Sequence, residues 1–505
     1  MNNVLTYSQV RIDCPYPLQT IHRLAIKSRL NDHSQLIIQG ILREEEQDNC
    51  IQTATANDSV RIYEINPVGE DTLLFSGIVT ELNVRCEHQT YHVEIHAMSY
   101  TTLMDKKVKS RSFQDISATY KEIIDNILTD YTNASYIQIP ADHPAGSLIV
   151  QYQETDWSFV KRLATHFNTQ LIPQDLGTGP RFWLGIRQTT PKPIESILNY
   201  TEINDTKAYR HILSHNLDVA PWSFTKYEIN SNTRLNLGES VIFQDKPCIV
   251  EQATASFIGG LFAYTYTLGH ETGIIQPTQS NHKLKGVSLL GSVLDTQNTS
   301  IKIHLRIDAA QEKTSACWLP YAAQSNNVFY CMPEIGENIS LYFPQAEESS
   351  SIAVNAVRRN GGNCSKTSKP NTKYLAIPSG QEIKLSPQNI DVSWPDSLNI
   401  TLDDASGITI HSNDNIIVSA GGKLNLNAQE KIKIIAKSGN IVAGSGADGS
   451  LSQLALLSGM TGDTHIKSAD KIYEEGRVKE PFPDQLNQAI AYEEKKLDWG
   501  KLALA

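Results

Sequence analysis

Three sets of residues have the types and spacing from which chemistry is commonly built. His92 and His96, with Glu94 between them, share one face of a strand, and His211 and His215 form a second pair. Two histidines are half of a metal site, but no HExxH on a helix and no third ligand at a recognisable spacing accompanies either pair. Both read as solvated or inter-domain faces, and no metal is expected. Gly444-Ser-Gly446-Ala-Asp-Gly449 fits GxGxxG after a short strand. A dinucleotide fold then needs a βαβ unit and an acidic residue about 20 residues on, where this chain offers a loop, Met460 to Ile466. The glycines read as a flexible exit, and no cofactor is expected. Trp318, Tyr321, Phe329, Tyr330, Tyr342 and Phe343 have the composition of a base-stacking platform. The block around them is sparsely basic (Lys302, Arg306 and Lys313), in a chain of 44 basic and 55 acidic residues with a formal charge of −11. A phosphate-tracking surface needs the opposite balance, so they read as core and packing, with no nucleic-acid partner. There is no GxSxG elbow and no cysteine in a nucleophile context, so no catalytic residue is assigned.

The elements that carry these residues are mostly strands. Val10–Cys14, Val60–Glu64 and Tyr91–Ile95 alternate apolar and polar residues, the period of a half-buried strand. Helical spacing occurs in Tyr120, Ile123, Ile124, Ile127, Leu128 and Tyr131. It recurs in Trp157, Val160, Leu163, Ala164 and Phe167, behind a Thr155-Asp156 cap. Charged residues are 20% and hydrophobic ones 40% of 505 residues, which excludes a disordered chain and leaves room for about three domains. Seven cysteines without CxxC spacing argue against a disulfide framework and fit a reducing compartment. No stretch approaches a membrane span, and the first residues lack the basic and apolar regions of a secretory signal.

From residue 392 a repeat sets in. Val392, Ile400, Ile408, Ile416, Leu424 and Ile432 are spaced by eight, and two residues after each stands Trp394, Leu402, Ile410, Val418, Leu426 or Ile434. Each unit is a short strand with two apolar side chains on one face, then a corner marked by residues such as Gly407, Asn413, Gly421 and Gly422. One such strand buries too little to offset its ordering entropy, and a solenoid coil closed within one chain needs about 20 residues. Three copies wound about a common axis solve this, each unit forming one face of a triangular prism and the chain moving to the next face at every corner. Six units at about 4.8 Å give a rod roughly 30 Å long. The other arrangement is an ordinary sheet of short strands within one chain.

Taken together, these blocks resemble VgrG-type proteins and the related hub–spike proteins of contractile phage tails and extracellular injection systems. Leu74-Phe-Ser-Gly77-Ile-Val-Thr-Glu81 looks like a family segment of the N-terminal body, and Val150 to Leu163, with Glu154, Asp156, Trp157, Phe159 and Arg162, is similar to its strand-to-helix signature. Gly291-Ser-Val293, Trp318-Leu-Pro320 and Pro333-Glu-Ile335-Gly336-Glu337 resemble its oligonucleotide/oligosaccharide-binding (OB) type barrel. The resemblance implies a mainly β fold with a few helices: a hub-like β-barrel body over 1–280 with an α/β insertion at about 101–175, and an OB-type barrel over 281–360. A linker over 361–385, a trimeric triple-stranded β-helix over 386–445 and a partly helical tail over 446–505 follow. The twelve repeat positions would form the trimer core. The implied role is a non-enzymatic homotrimer, made in the cytoplasm, built into an injection apparatus and ejected towards a target cell. Its implied partners are inner tube and baseplate proteins, a PAAR-like tip protein and effectors, with a membrane met only during puncture.

Two departures matter. About 30 residues separate Val357 from the first repeat unit, too few for the peptidoglycan-cleaving domain that some relatives insert, whose chemistry needs paired carboxylates. The repeat also ends without the HxH motif that binds iron at some spike tips; His411 stands alone. In the tail, Leu451, Leu454 and Leu457, then Leu486, Ile490 and Leu497, are candidate docking positions for a tip protein or effector. The alternative is that they cover the spike's own surface. The alternative function is a tail-associated envelope or polysaccharide hydrolase built on a β-solenoid.

Overall fold

A computed structural model of the chain describes residues 6–43, 54–66, 69–187, 189–215, 217–258, 260–322, 331–357, 365–367 and 369–434, and the pairs 464–465 and 496–497. The chain divides into two units, Met1–Thr367 and Ser368–Ala505.

The first unit is organised by a twelve-stranded sheet. Ten strands follow in hydrogen-bonded order: Val10–Asp13, Ser59–Glu64, Thr72–Glu87, Thr90–Ser99, Gln35–Leu42, Leu18–Arg29, Lys246–Ile258, Leu261–Gly269, Thr225–Ser231 and Ile197–Asn204. The alternating sequence dictates this sheet. In Gln35–Leu42, Leu36, Ile38 and Leu42 point into the core while their neighbours are half-buried. The two halves meet where Leu18–Arg29 pairs antiparallel with Lys246–Ile258, Arg29 opposite Gln252. A single core spans both halves, from Phe75 and Ile95 to Tyr227 and Tyr266. Gly77 sits where a side chain could not, since a Cβ there would lie 2.3 Å from the Met98 carbonyl oxygen on the adjacent strand.

Between the halves lies the α/β insertion, with its own core. Its helices are α1 (Tyr120–Leu128) and α2 (Asp156–Thr165). Thr119 caps α1 by accepting from the Glu122 amide at 3.3 Å, and the Glu122 carboxylate accepts in turn from the Thr119 amide at 2.8 Å. Thr155 caps α2 from the Ser158 amide at 3.2 Å. Tyr120, Ile123, Ile124 and Ile127 pack with Trp157, Val160 and Leu163; each fully buried apolar side chain of this size contributes about 1.5–3 kcal/mol. The strand Arg181–Leu184 completes the insertion's three-stranded sheet, so it runs past the expected end near 175. A third helix, α3 (Thr206–Leu213), buries only Ile212.

The barrel block has five strands in the order Leu319–Pro320, Ser300–Leu305, Ser288–Gln297, Asn338–Tyr342, Ile352–Val357, and a Tyr321–Ala353 bridge joins its ends. Its core includes Leu148 and Val150 of the insertion. Phe343 is fully buried, whereas Trp318 is partly exposed beneath the Lys302 ammonium, 5.1 Å from the ring centre.

The second unit holds a five-stranded antiparallel meander, Lys373–Ala376, Glu382–Leu385, Asn389–Trp394, Leu398–Asp403 and Gly407–Ser412. It begins within the stretch read as linker. Three-residue turns reverse the chain between the last three strands, helped by left-handed Asp396 (φ 57°) and Gly407 (φ 85°). Consecutive repeat units therefore fold back beside one another, and the chain does not pass to a new face at each corner. An eight-residue period fits both paths; turn geometry decides between them.

Candidate assembly surfaces

The meander sorts its residues into two unlike faces. Leu375, Ile383, Val392, Ile400 and Ile410 lie directly opposite one another across all five strands. Beside them run Leu385, Ile390, Leu402 and Ile408. Residues opposite each other share a face, so these are two apolar ladders on one side. The other side is polar: Tyr374, Lys384, Asp391, Thr401 and Thr409 form the matching ladder. There the Lys384 ammonium meets the Asp391 carboxylate at 2.9 Å, holding Lys384 above and Asp391 below their ordinary pKa ranges. His411 is opposite Asn399 on this polar side.

None of the apolar ladder is buried. Leu385 is 47% exposed, Ile410 51% and Ile408 70%. Beyond the meander, residues 413–434 contain no strand among the described residues, and Ile416, Val418, Leu424, Leu426, Ile432 and Ile434 are all exposed. Fully burying an Ile or Leu is worth about 1.5–3 kcal/mol. Covering the nine partly exposed ladder side chains would therefore yield on the order of 10 kcal/mol per chain. Association costs about 4–15 kcal/mol, so burial of the meander alone would be marginal. Sequence spacing picked out the ladder positions from Val392 onward and missed Leu375, Ile383, Leu385 and Ile390; the eight residues between Leu375 and Ile383 were the available signal.

A second uncovered surface lies on the body. Ile197–Asn204 is the last strand of the sheet, and all eight of its residues are exposed, among them Leu198 and Tyr200. It carries one charge, Glu202, where an unpaired edge is ordinarily blunted by several.

The residues with chemical spacing form no centre. His96 Nε2 lies 2.6 Å from Glu94, which also accepts from Gln39 at 3.0 Å; these bonds hold the Glu94 carboxyl below its ordinary range. The His22 and His92 rings are 6.4 Å apart. His211 and His215 meet edge to face at the end of α3, with ring centres 4.7 Å apart, His215 bonding the His211 carbonyl at 2.8 Å. Among the described residues no group of three or more His, Cys, Asp or Glu is placed to hold a metal. Phe329, Tyr330, the GxGxxG segment, Leu451, Leu454, Leu457, Leu486 and Ile490 lie outside the described residues. Leu497 falls in a two-residue strand paired with Thr464–His465, where a helix was expected. Among the described residues, Cys14, Cys86, Cys248, Cys317 and Cys331 form no disulfide.

One arrangement invisible in the sequence has the form of a hydrolase triad. Asp105 lies 3.0 Å from His33 Nε2, and His33 Nδ1 lies 2.8 Å from the Thr101 hydroxyl. Thr101 in turn meets Ser99 at 2.9 Å. Thr101 and Ser99 are completely buried, so neither hydroxyl can meet a substrate. Asp105 also receives the hydroxyl of Thr155, the cap of α2, which makes the relay a brace between body and insertion.

The strand-to-helix stretch 150–163 owes its composition to two buried ionic knots. Asp156 is wholly buried; Lys109, Arg111, Tyr131 and Gln151 donate to it at 2.6 to 2.9 Å. Burial alone would raise its pKa, but these donors outweigh it and hold the carboxyl below its ordinary range. Arg162 bridges Glu154 at 2.8 Å and Glu348 of the barrel block at 2.9 Å, and donates to the Val150 carbonyl at 2.8 Å. Asp308 of the barrel accepts from the Ser112 amide and hydroxyl at 2.7 and 2.6 Å.

Residues 50–167 match the family model described as phage tail baseplate hub (GPD). A sequence comparison with curated proteins gives no match. In fold, the chain is similar to the E. coli c3393 protein, a type VI secretion component described as structurally similar to the T4 tail proteins gp27 and gp5. That alignment has TM-score 0.51 and 12% identity, covering 68% of this chain and 99% of that one. It is also similar to the half-lidded Francisella PdpA–VgrG complex, with TM-score 0.53 and 9% identity, covering 81% of this chain and 89% of that one. The resemblance to VgrG-like and phage tail hub proteins therefore holds, and the mainly β hub fold with it.

Proposed function

We propose that this chain is a non-enzymatic hub–spike of a contractile injection apparatus that works as a homotrimer. The hub-family match and the shared fold support the tail-hub role. The observation that carries the trimeric spike is the uncovered apolar ladder from Leu375 to Ile410. In this reading each chain contributes its meander as one wall of a triangular prism, apolar rows inward and the Lys384–Asp391 side outward. Units from Ile416 to Ile434 gain strand partners only in the assembly. The exposed edge Ile197–Asn204 is a second place for neighbouring copies to meet. The twelve repeat positions from Val392 to Ile434 are the spike core. Inner tube and baseplate proteins bind the hub, and a tip protein or effector docks on the tail through Leu451, Leu454, Leu457, Leu486, Ile490 and Leu497. The spike is made in the cytoplasm, ejected with the apparatus, and meets a membrane only in passing; among the described residues no helix is long and apolar enough to span one.

The test is the double variant Ile400→Glu/Ile410→Glu, read by sedimentation velocity and circular dichroism. The trimer should fall to monomer while the strand signal of the body persists. A trimer that survives both charges would show that the ladder is not the interface.

A further inference from the structure

The first unit contains a cavity of about 300 Å³ at the mouth of its sheet, between the strands Leu18–Arg29 and Leu261–Gly269 and the loops that carry Asp175 and Arg234. Its floor is aromatic: Phe262, Tyr264 and Tyr266 follow one another, the two tyrosine rings parallel to within 5° at 6.1 Å. Its rim carries two guanidinium groups. Arg187 lies over the Trp183 ring at 4.4 Å and pairs with no carboxylate among the described residues; Arg234 reaches Glu64 only at 4.0 Å. In the wall stands one carboxyl, Asp175, which accepts from the Ser28 hydroxyl at 3.3 Å. Burial raises the Asp175 pKa, and neither its hydrogen bonds nor Arg234 fully offsets this.

The walls are preformed. The Asp175 loop is pinned by the Ser76 amide bonding the Asp175 carbonyl at 2.6 Å and the Ser76 hydroxyl bonding the Gly177 carbonyl at 2.8 Å. The Arg234 loop is pinned on both sides by Tyr266, which donates to the Thr233 carbonyl at 3.0 Å and accepts from the Leu235 amide at 2.8 Å. Underused guanidiniums at a rim, a buried carboxyl in the wall and an aromatic floor are the components of a ligand site rather than of a core. The volume is at the small end of the roughly 300–1,000 Å³ that such sites occupy, room for one chain end and little more.

We propose that this cavity receives the carboxyl-terminal residue of a partner polypeptide. Arg187 and Arg234 take the terminal carboxylate, a group that guanidinium forks match in charge and geometry. The terminal side chain, apolar or aromatic, lies against Tyr264 and Phe262, and Asp175 accepts from the chain N–H.

Isothermal titration of the full-length protein with N-acetyl-phenylalanine, its amide and 3-phenylpropanoate tests this. The acid should bind, and the amide should bind at least about ten-fold more weakly, as expected for losing a charged hydrogen-bond pair. Arg187→Gln/Arg234→Gln should erase the preference for the acid with the melting temperature retained. Asp175→Asn should weaken N-acetyl-phenylalanine while leaving 3-phenylpropanoate, which lacks the N–H, unchanged. No binding of the acid, equal binding of acid and amide, or an unaltered preference in the arginine variant would overturn the site. Equal weakening of both acids by Asp175→Asn would overturn the role given to Asp175.

Discussion

Replacing Arg162 by methionine should loosen the body more than any single exposed substitution. The guanidinium is 5% exposed and holds two carboxylates, Glu154 and Glu348, whose side chains are 12% and 11% exposed. Methionine fills much of the same space but leaves both carboxylates and the Val150 carbonyl without their donor. Removing one partner of a buried pair costs about 3–5 kcal/mol, because the remaining charge stays desolvated. At roughly 2 °C per kcal/mol for a large domain, the melting temperature should fall by about 6–10 °C. Arg162→Lys keeps the charge and loses the fork, and should fall in between. The triple variant Arg162→Met/Glu154→Gln/Glu348→Gln removes the orphaned charges and should recover most of the loss. Differential scanning calorimetry of the four full-length proteins gives the answer. A single variant within about 1 °C of wild type would refute the reasoning, given that 3 kcal/mol is the least it allows. So would a triple variant as unstable as the single one, which would place the cost in packing rather than in unpaired charge.

Asp156 supplies a pH test. Its folded pKa is depressed, so its contribution is present above the unfolded carboxyl value of about 3.9 and is lost as pH falls through the folded value. Asp156→Asn should be clearly less stable than wild type in urea at neutral pH, and the gap should close in acid; a constant gap would contradict the assignment. Gly77→Ala should cost soluble yield and melting temperature, because its Cβ meets the Met98 carbonyl. Gly421→Ala, with nothing within 4 Å, should match wild type, and equal behaviour of the two would be the contrary result.

Helices α1 and α2 were legible because each has a one-sided apolar stripe, backed in α2 by the Thr155 cap; the Thr119 cap of α1 emerged only in the structure. Helix α3 was not legible, although Ala208, Tyr209, Ile212 and Leu213 share one face, since two turns give too short a run to stand out and only Ile212 is buried. The repeat positions were legible from spacing, yet their path was not, because the Asp396 and Gly407 backbone angles that turn the chain back leave no trace in the period. The bridge from Arg162 to Glu348 joins residues 186 apart, and His33 meets Asp105 across 72. Neither reveals itself as a local motif, although the signature stretch already contained Glu154, Asp156 and Arg162. The Asp175 cavity depends on loops brought together by sheet topology, which no local pattern encodes.

The solution mass of the full-length chain by light scattering, repeated on residues 363–505, tests the account most directly. A mass near three times 56.1 kDa, with the fragment also trimeric, is the predicted result. A full-length chain that stays monomeric at every concentration would mean that the apolar ladder is covered in some other way, and the trimeric spike would fall.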